Sequence, residues 1–153
     1  MTGRIVVGVD GSAASKRALA WALDEARLRG DSLVVVHAWT HPLVASTGLP
    51  GGYIGSVDVD LDHAVESASR ELLQRAVSEA NTGGVEVEQR LVEGPAAGTL
   101  VEAAKGAELL VVGSRGHGGF AGLLLGSVSQ QCAHYAPCPV VIIRAEEEAD
   151  QGS

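Results

Sequence analysis

Cysteine is scarce in this chain, and the two residues present stand at the wrong spacing for most cysteine chemistry. Cys132 and Cys138 are separated by five residues, which matches neither a CxxC redox pair nor a zinc knuckle, and two thiols in 153 residues do not make a disulfide framework. Both are read as reduced structural thiols, with a reactive thiol as the alternative. Long apolar runs are missing as well: none approaches the roughly 20 residues of a transmembrane helix. Met1 leads into "GRIVVGVDGS" without the apolar region and cleavage site of a signal peptide. A soluble, cytoplasmic protein is the expectation. Basic excess is also lacking, since 11 Lys and Arg stand against 19 Asp and Glu for a formal net charge of -8. That balance argues against nonspecific binding to nucleic acid or to an anionic membrane, but leaves a small anionic ligand open. Much of the acidic excess lies in "EEEAD", Glu146 to Asp150, which reads as a solvated tail over residues 146–153.

Several nucleotide and catalytic motifs are absent. A P-loop needs GxxxxGK[ST], and no lysine follows Lys105. "GHGGFA", Gly116 to Ala121, satisfies GxGxxA, but it is not tight against a strand and no acidic residue about 20 positions on ends a next strand to hold a ribose. Neither a GxSxG nucleophile elbow nor a HIGH-like adenylyl-transfer motif occurs, so no catalytic constellation is visible and the chain is not expected to be an enzyme.

What is present is an alternation of strand and helix patterns. "RIVVGV" is a short β-branched run followed by "DGS", and "SKRALAWALDEARLRG" places Ala18, Leu19, Ala22, Leu23 and Ala26 on one helical face before Gly30 stops it. "SLVVVHAW" is a second strand, continuously apolar as expected when both faces of a parallel sheet are covered. "THPLVASTGLPGGYIGS" reads as a long loop, the candidate lid. A longer amphipathic helix runs from Leu61 through Val77 and closes at "NTGG"; "VEVEQRLV" alternates like a strand near a sheet edge. "GPAAGTLVEAAKG" is a short helix with Pro95 in its first turn, "AELLVVG" a fourth strand, "SVSQQCAHYA" a helix starting near Ser127, and "PVVII" a last strand. Five strands separated by helices predict one open, doubly wound parallel α/β sheet, a single domain over residues 1–145.

In such sheets ligands settle outside the carboxyl ends of the strands, where strand order reverses. "VVGSRGHGGFAGLLLGSVSQ", Val111 to Gln130, concentrates glycine after the fourth strand and before a helix. Glycine lets backbone amides approach a phosphate without an intervening Cβ, and a helix start adds free amides and partial positive charge. An anion site and a flexible connection both fit the pattern. Asp10 admits two readings of its own, a ligand contact or a local cap or Asx turn, and Ser127 could act as an N-cap, a role compatible with phosphate binding. His37 and His41 lie on a strand end and a loop, which argues against a metal pair, and His134 reads as structural.

The spacing of Gly113, Gly116, Gly126 and Ser127 is that of G-2x-G-9x-G(S/T). Together with "IVVGVDGS", "HAW", "VEGPAAGTLVEAAKGAELLVVGSRG" and "GSVSQQCAHYAPCPVVII", it resembles the ATP-binding branch of the universal stress proteins over nearly the whole chain. The resemblance implies strand order 3-2-1-4-5, an ATP between strands one and four, and a homodimer through the last strand, Val140 to Ile143. Carried over residue by residue, it implies that Asp10 contacts the ribose and adenine side, that Ala38 lies beside the adenine through its backbone, and that Val112 packs on the nucleoside. It further implies that Gly113, Gly116, Gly126, Ser127, Val128 and Ser129 cradle the ribose and phosphates, with Arg115 and His117 as charge partners. Mg or Mn accompanies the triphosphate in relatives, although no residue here is assignable as its ligand. The implied role is that of a nucleotide-dependent regulator of stress response or growth. AMP or cyclic AMP is the alternative ligand, a slow ATPase or adenylyl-handling enzyme the alternative activity, and a ligand-independent dimeric scaffold a third class.

Overall fold

The apolar runs pair side by side in a single parallel sheet. The structure, a computed structural model, describes residues 3–41, 55–115 and 125–145, with residues 55–60 described by their backbone alone. Its elements in chain order are β1 (Arg4–Gly8), α1 (Ala13–Arg29), β2 (Ser32–Trp39), α2 (Gly55–Ser78), β3 (Val87–Glu93), α3 (Ala96–Ala103), β4 (Leu109–Gly113), α4 (Ser127–Tyr135) and β5 (Val140–Ile143). The strand order is β3-β2-β1-β4-β5, every neighbouring pair parallel, as the sequence predicts. The acidic tail and most of the long loop lie outside the described residues.

Register explains the uninterrupted apolar character of the inner strands. Val6 sits beside Val34 on one side and Leu110 on the other, while Val7 sits beside Val35 and Val111. Because side chains alternate across a strand, these two rows point to opposite faces and both must be covered. Ile5, Val7, Leu33, Val35 and Val111 pack against Ala18, Leu19, Ala22, Leu23 and Ala26 of α1 and Leu73 of α2. Val6, Val34, Val36, Leu110 and Val112 pack against Leu100, Ala103 and Ala104 at α3 and Cys132 of α4. Hence α1 and α2 cover one face, α3 and α4 the other. Strand β3 occupies an edge, where none of its residues is fully buried and Glu88, Gln89 and Glu93 are exposed.

Three expectations shift in detail. The second helix begins at Gly55, inside the stretch read as loop and ahead of the first periodic apolar residue, Leu61. The opening sequence "GSVDVD" carries acid in place of the apolar period that marks the rest of the helix. Pro95 is the N-cap of α3, extended at φ -64°, ψ 140°, one position before the first turn. His134 is exposed on α4 and tilts against the ring of Tyr135, so it plays no part in the core.

Candidate functional site

Strand β1 lies between β2 and β4, and the chain leaves β1 toward one face of the sheet and β4 toward the other. The connections diverge at that point, and a cleft of about 420 Å³ opens over the carboxyl ends of β1, β2 and β4. Its size is ordinary for a small-molecule site.

The β1 wall is a tightly bonded turn. Asp10 Oδ1 accepts a hydrogen bond from the Ser12 amide at 2.9 Å, and the Asp10 amide donates to Ser15 Oγ at 3.2 Å. Ser12 Oγ in turn accepts from the Ser15 amide at 3.2 Å, so Ser12 is the N-cap of α1. Between them Gly11 holds φ 83°, a left-handed conformation that other residues adopt only with strain. Asp10 therefore initiates an Asx turn rather than capping the helix. One carboxylate oxygen is engaged locally, and the residue still lines the cleft.

On the opposite wall, β4 ends at Gly113, whose missing side chain is a packing requirement. A Cβ built there would lie 2.8 Å from the carbonyl carbon and from the Cβ of Ala14, so α1 and β4 meet at this point only through glycine. Beyond it, the Ser114 carbonyl accepts from the Gly126 amide at 2.7 Å and from Ser129 Oγ at 2.7 Å, and the Ser114 amide donates to the Ile143 carbonyl at 2.8 Å. This stitching fixes the start of α4 against the end of β4. The N-cap of α4 is Gly126, which has no side chain with which to cap, and Ser127 is the exposed first helical residue rather than the cap. The Ser129 hydroxyl is buried and occupied, so only its backbone faces outward chemistry.

The first three amides of an α-helix, here those of Ser127, Val128 and Ser129, have no acceptor within the helix. Helices α1, α3 and α4 all start at this end of the sheet and line the cleft with their first turns. None of the three carries an acidic residue in its first turn. Acid there is normally stabilising; α1 has the Asp10 carboxylate just ahead of it, bonded to the Ser12 amide, whereas the start of α4 has no acidic residue in its first turn. Such a cleft suits an anion.

The remaining wall is the end of β2, where Ala38 lines the cleft and the His37 ring reaches β1, its Nδ1 2.8 Å from the Val9 carbonyl. A carbonyl partner requires a proton on Nδ1, which leaves Nε2 as an acceptor when the ring is neutral. Of the residues singled out from sequence, Asp10, Ala38, Val112, Gly113 and Arg115 line the cleft together with Gly126, Ser127, Val128 and Ser129. Gly116 and His117 lie outside the described residues. Sequence reading did not include Ser12, Ser15, His37, Ser114, Ala96 or Leu100, which line the same space. The "DGS" turn pointed toward Ser12, and Ala96 and Leu100 share the four-residue spacing of one helical face; Ser114 carried no signal because its role is made by its backbone.

Both cysteines are free. Burial pushes the Cys132 thiol up to about 11 and raises that of Cys138, so neither is an activated thiolate at neutral pH.

A universal stress protein of Mycolicibacterium smegmatis is 36% identical to this chain over 155 residues, covering 97% of the chain and 50% of that relative. The chain thus spans about half the length of the curated relatives it matches. Among solved structures, a universal stress protein in complex with cAMP superposes with a TM-score of 0.62 at 29% identity, covering 94% of this chain and 98% of the other. The universal stress protein from Archaeoglobus fulgidus in complex with dAMP superposes with a TM-score of 0.51 at 27% identity, covering 92% and 97%. The sequence model of the universal stress protein family matches residues 1–144, which include every strand and helix that builds the cleft, and the chain therefore belongs to the universal stress protein family.

Proposed function

We propose that the cleft binds an adenine nucleotide, ATP in the first instance, and that the protein works as a nucleotide-dependent regulator of stress response or growth. The observation that carries this reading is the start of α4: Gly126 offers its first amides no side-chain cap, the first turn holds no acidic residue, and Ser127, Val128 and Ser129 line the cleft. In this reading the phosphates lie on Gly113, Gly126, Ser127, Val128 and Ser129, the last through its amide, with Arg115, Gly116 and His117 alongside. The nucleoside lies on Val112, with Asp10 at the ribose and adenine side and the Ala38 backbone beside the base. Complexes of related proteins with cAMP and dAMP support the adenine nucleotide class, and they also favour a second reading in which a monophosphate is the resident ligand.

Turnover is expected to be absent or slow. Asp10, which lines the cleft, has one carboxylate oxygen tied into its turn, which limits it as a base for water. Among the described residues, Asp10 is the sole carboxylate lining the cleft and no group of three or more metal-ligating side chains occurs, so no metal ligand is assigned. The edge strand β5, with Val140 to Ile143 all half-buried, supports pairing with a second copy of the chain, because an apolar edge left open invites aggregation. Lysine at Val141 and Ile143 should then give a monomer by sedimentation, against a wild-type dimer.

Calorimetric titration with ATP, AMP, cyclic AMP and adenosine tests the nucleotide assignment. One site per chain, tightest for ATP, is expected. Gly126→Val should weaken ATP more than adenosine while the protein stays folded, since a Cβ at Gly126 meets only ordinary contacts, the nearest 3.4 Å away. Unchanged ATP affinity in the folded variant would remove α4 from the site.

A further inference from the structure

Next to the cleft, three residues beyond Ala38, the carboxyl ends of β2 and β3 are bridged by a second cluster that nucleotide binding does not use. His41 lies with Nδ1 2.7 Å from Asp62 Oδ2 on α2 and Nε2 2.5 Å from Glu93 Oε2 at the end of β3. Its ring stands edge-on to Trp39, centroids 5.1 Å apart. The histidine is a third exposed and Asp62 less so, at 33% and 23%.

We propose that His41 is a proton-dependent clip that holds α2 onto the ends of β2 and β3. Both ring nitrogens face a carboxylate oxygen. The imidazolium has two N–H donors and can satisfy both; neutral imidazole has one, and its other nitrogen would point a lone pair at an anion. The arrangement is therefore self-consistent only with the ring doubly protonated. Among the described residues, His41 Nδ1 and Asp62 Oδ1 have no aligned hydrogen-bond partner, so the Nδ1 contact relies on opposite charge rather than on a directed bond. Loss of the proton leaves Asp62 facing an uncharged ring with a buried oxygen still unsatisfied, and the α2 side is the one that lets go.

The surroundings reinforce the charged form. From α2 the cluster is faced by Asp62, His63, Glu66 and Arg70, and from β3 by Glu93. Arg70 pairs with Glu66 at 3.1 Å, so that cation is offset by its own carboxylate. The His41 pKa is raised above its ordinary value: the Asp62 carboxylate against Nδ1 contributes most, desolvation opposes it, and the charge of Glu93 adds to the raise. A raised folded-state pKa means that the clip contributes fully below the ordinary histidine value of about 6.5 and is lost as pH rises through the higher folded midpoint.

The test is carried out on the full chain without nucleotide, so it stands or falls apart from the binding reading. In wild type, the His41 ring resonances followed by NMR should titrate with a midpoint above about 6.5. Asp62→Asn and Glu93→Gln should each bring that midpoint down by about one pH unit. Hydrogen exchange of the α2 amides over residues 62–70, corrected for intrinsic rate, should speed up about tenfold from pH 6 to pH 9 in wild type and stay flat in His41→Gln. A His41 midpoint at or below the ordinary value, or the same pH response in wild type and His41→Gln, overturns the proposal. The wild-type titration decides the matter even if a variant fails to fold.

Discussion

Helices α1 and α4 both begin at the same cleft, each directly after an inner strand of one sheet, yet they dispose of their first amides in different ways. The start of α1 is closed on itself: Asp10, Ser12 and Ser15 bond one another, and Ser12 caps the helix. The start of α4 is held from behind by the Ser114 carbonyl, and glycine stands where a capping side chain would be. Helix starts without an internal partner are satisfied by water or by a ligand. The difference separates a start closed by its own side chains from one that offers its amides to an outside acceptor, although both consist of small polar residues and glycine.

Substitutions can break or sharpen this contrast. The largest effect is expected where α1 meets the end of β4. Gly113→Val should destabilise the fold by about 3 kcal/mol, because its Cβ meets Ala14 backbone that cannot give way, and a urea midpoint should fall accordingly. Next, Asp10→Ala should weaken ATP and adenosine by the same factor, on the order of 1.5 to 3 kcal/mol for a lost charge-assisted bond, as measured by calorimetry. Equal ATP affinity in folded Asp10→Ala and wild type would confine Asp10 to its turn. Gly126→Asp gives α4 the cap it lacks. Stability should rise by a few tenths of a kcal/mol while ATP affinity drops about tenfold, roughly 1.4 kcal/mol, since the new carboxylate occupies the amides and repels phosphate. The smallest effect belongs to the wall that is already closed: Ser12→Ala should cost about 1 kcal/mol of stability and leave ATP affinity unchanged at equal folded fraction.

The same contrast shows how far the linear chain could be read. The unbroken runs "RIVVG", "SLVVV" and "LLVVG" could only be strands covered on both faces, because a strand with one face in water alternates, as "VEVEQRLV" does. Gly30 and the "DGS" turn announced their local geometry for the same short-range reason. The beginning of α2 was not legible, since its opening residues carry acid rather than an apolar period, and the division of labour between Asp10 and Ser12 was not legible either, since both residue types cap and both turn.

Residue order alone determined five buried or half-buried strands, their intervening helices, and a glycine-rich passage between the fourth strand and the last helix. These are properties of periodicity and backbone freedom, which act over a few residues. Only the tertiary structure decided that Gly113 must be glycine for α1 to approach β4, that the Ser129 hydroxyl is spent on Ser114, and that His41, Asp62 and Glu93 meet at all. Each of these depends on which strand lies beside which, and contacts between segments far apart in the chain leave no trace in local pattern.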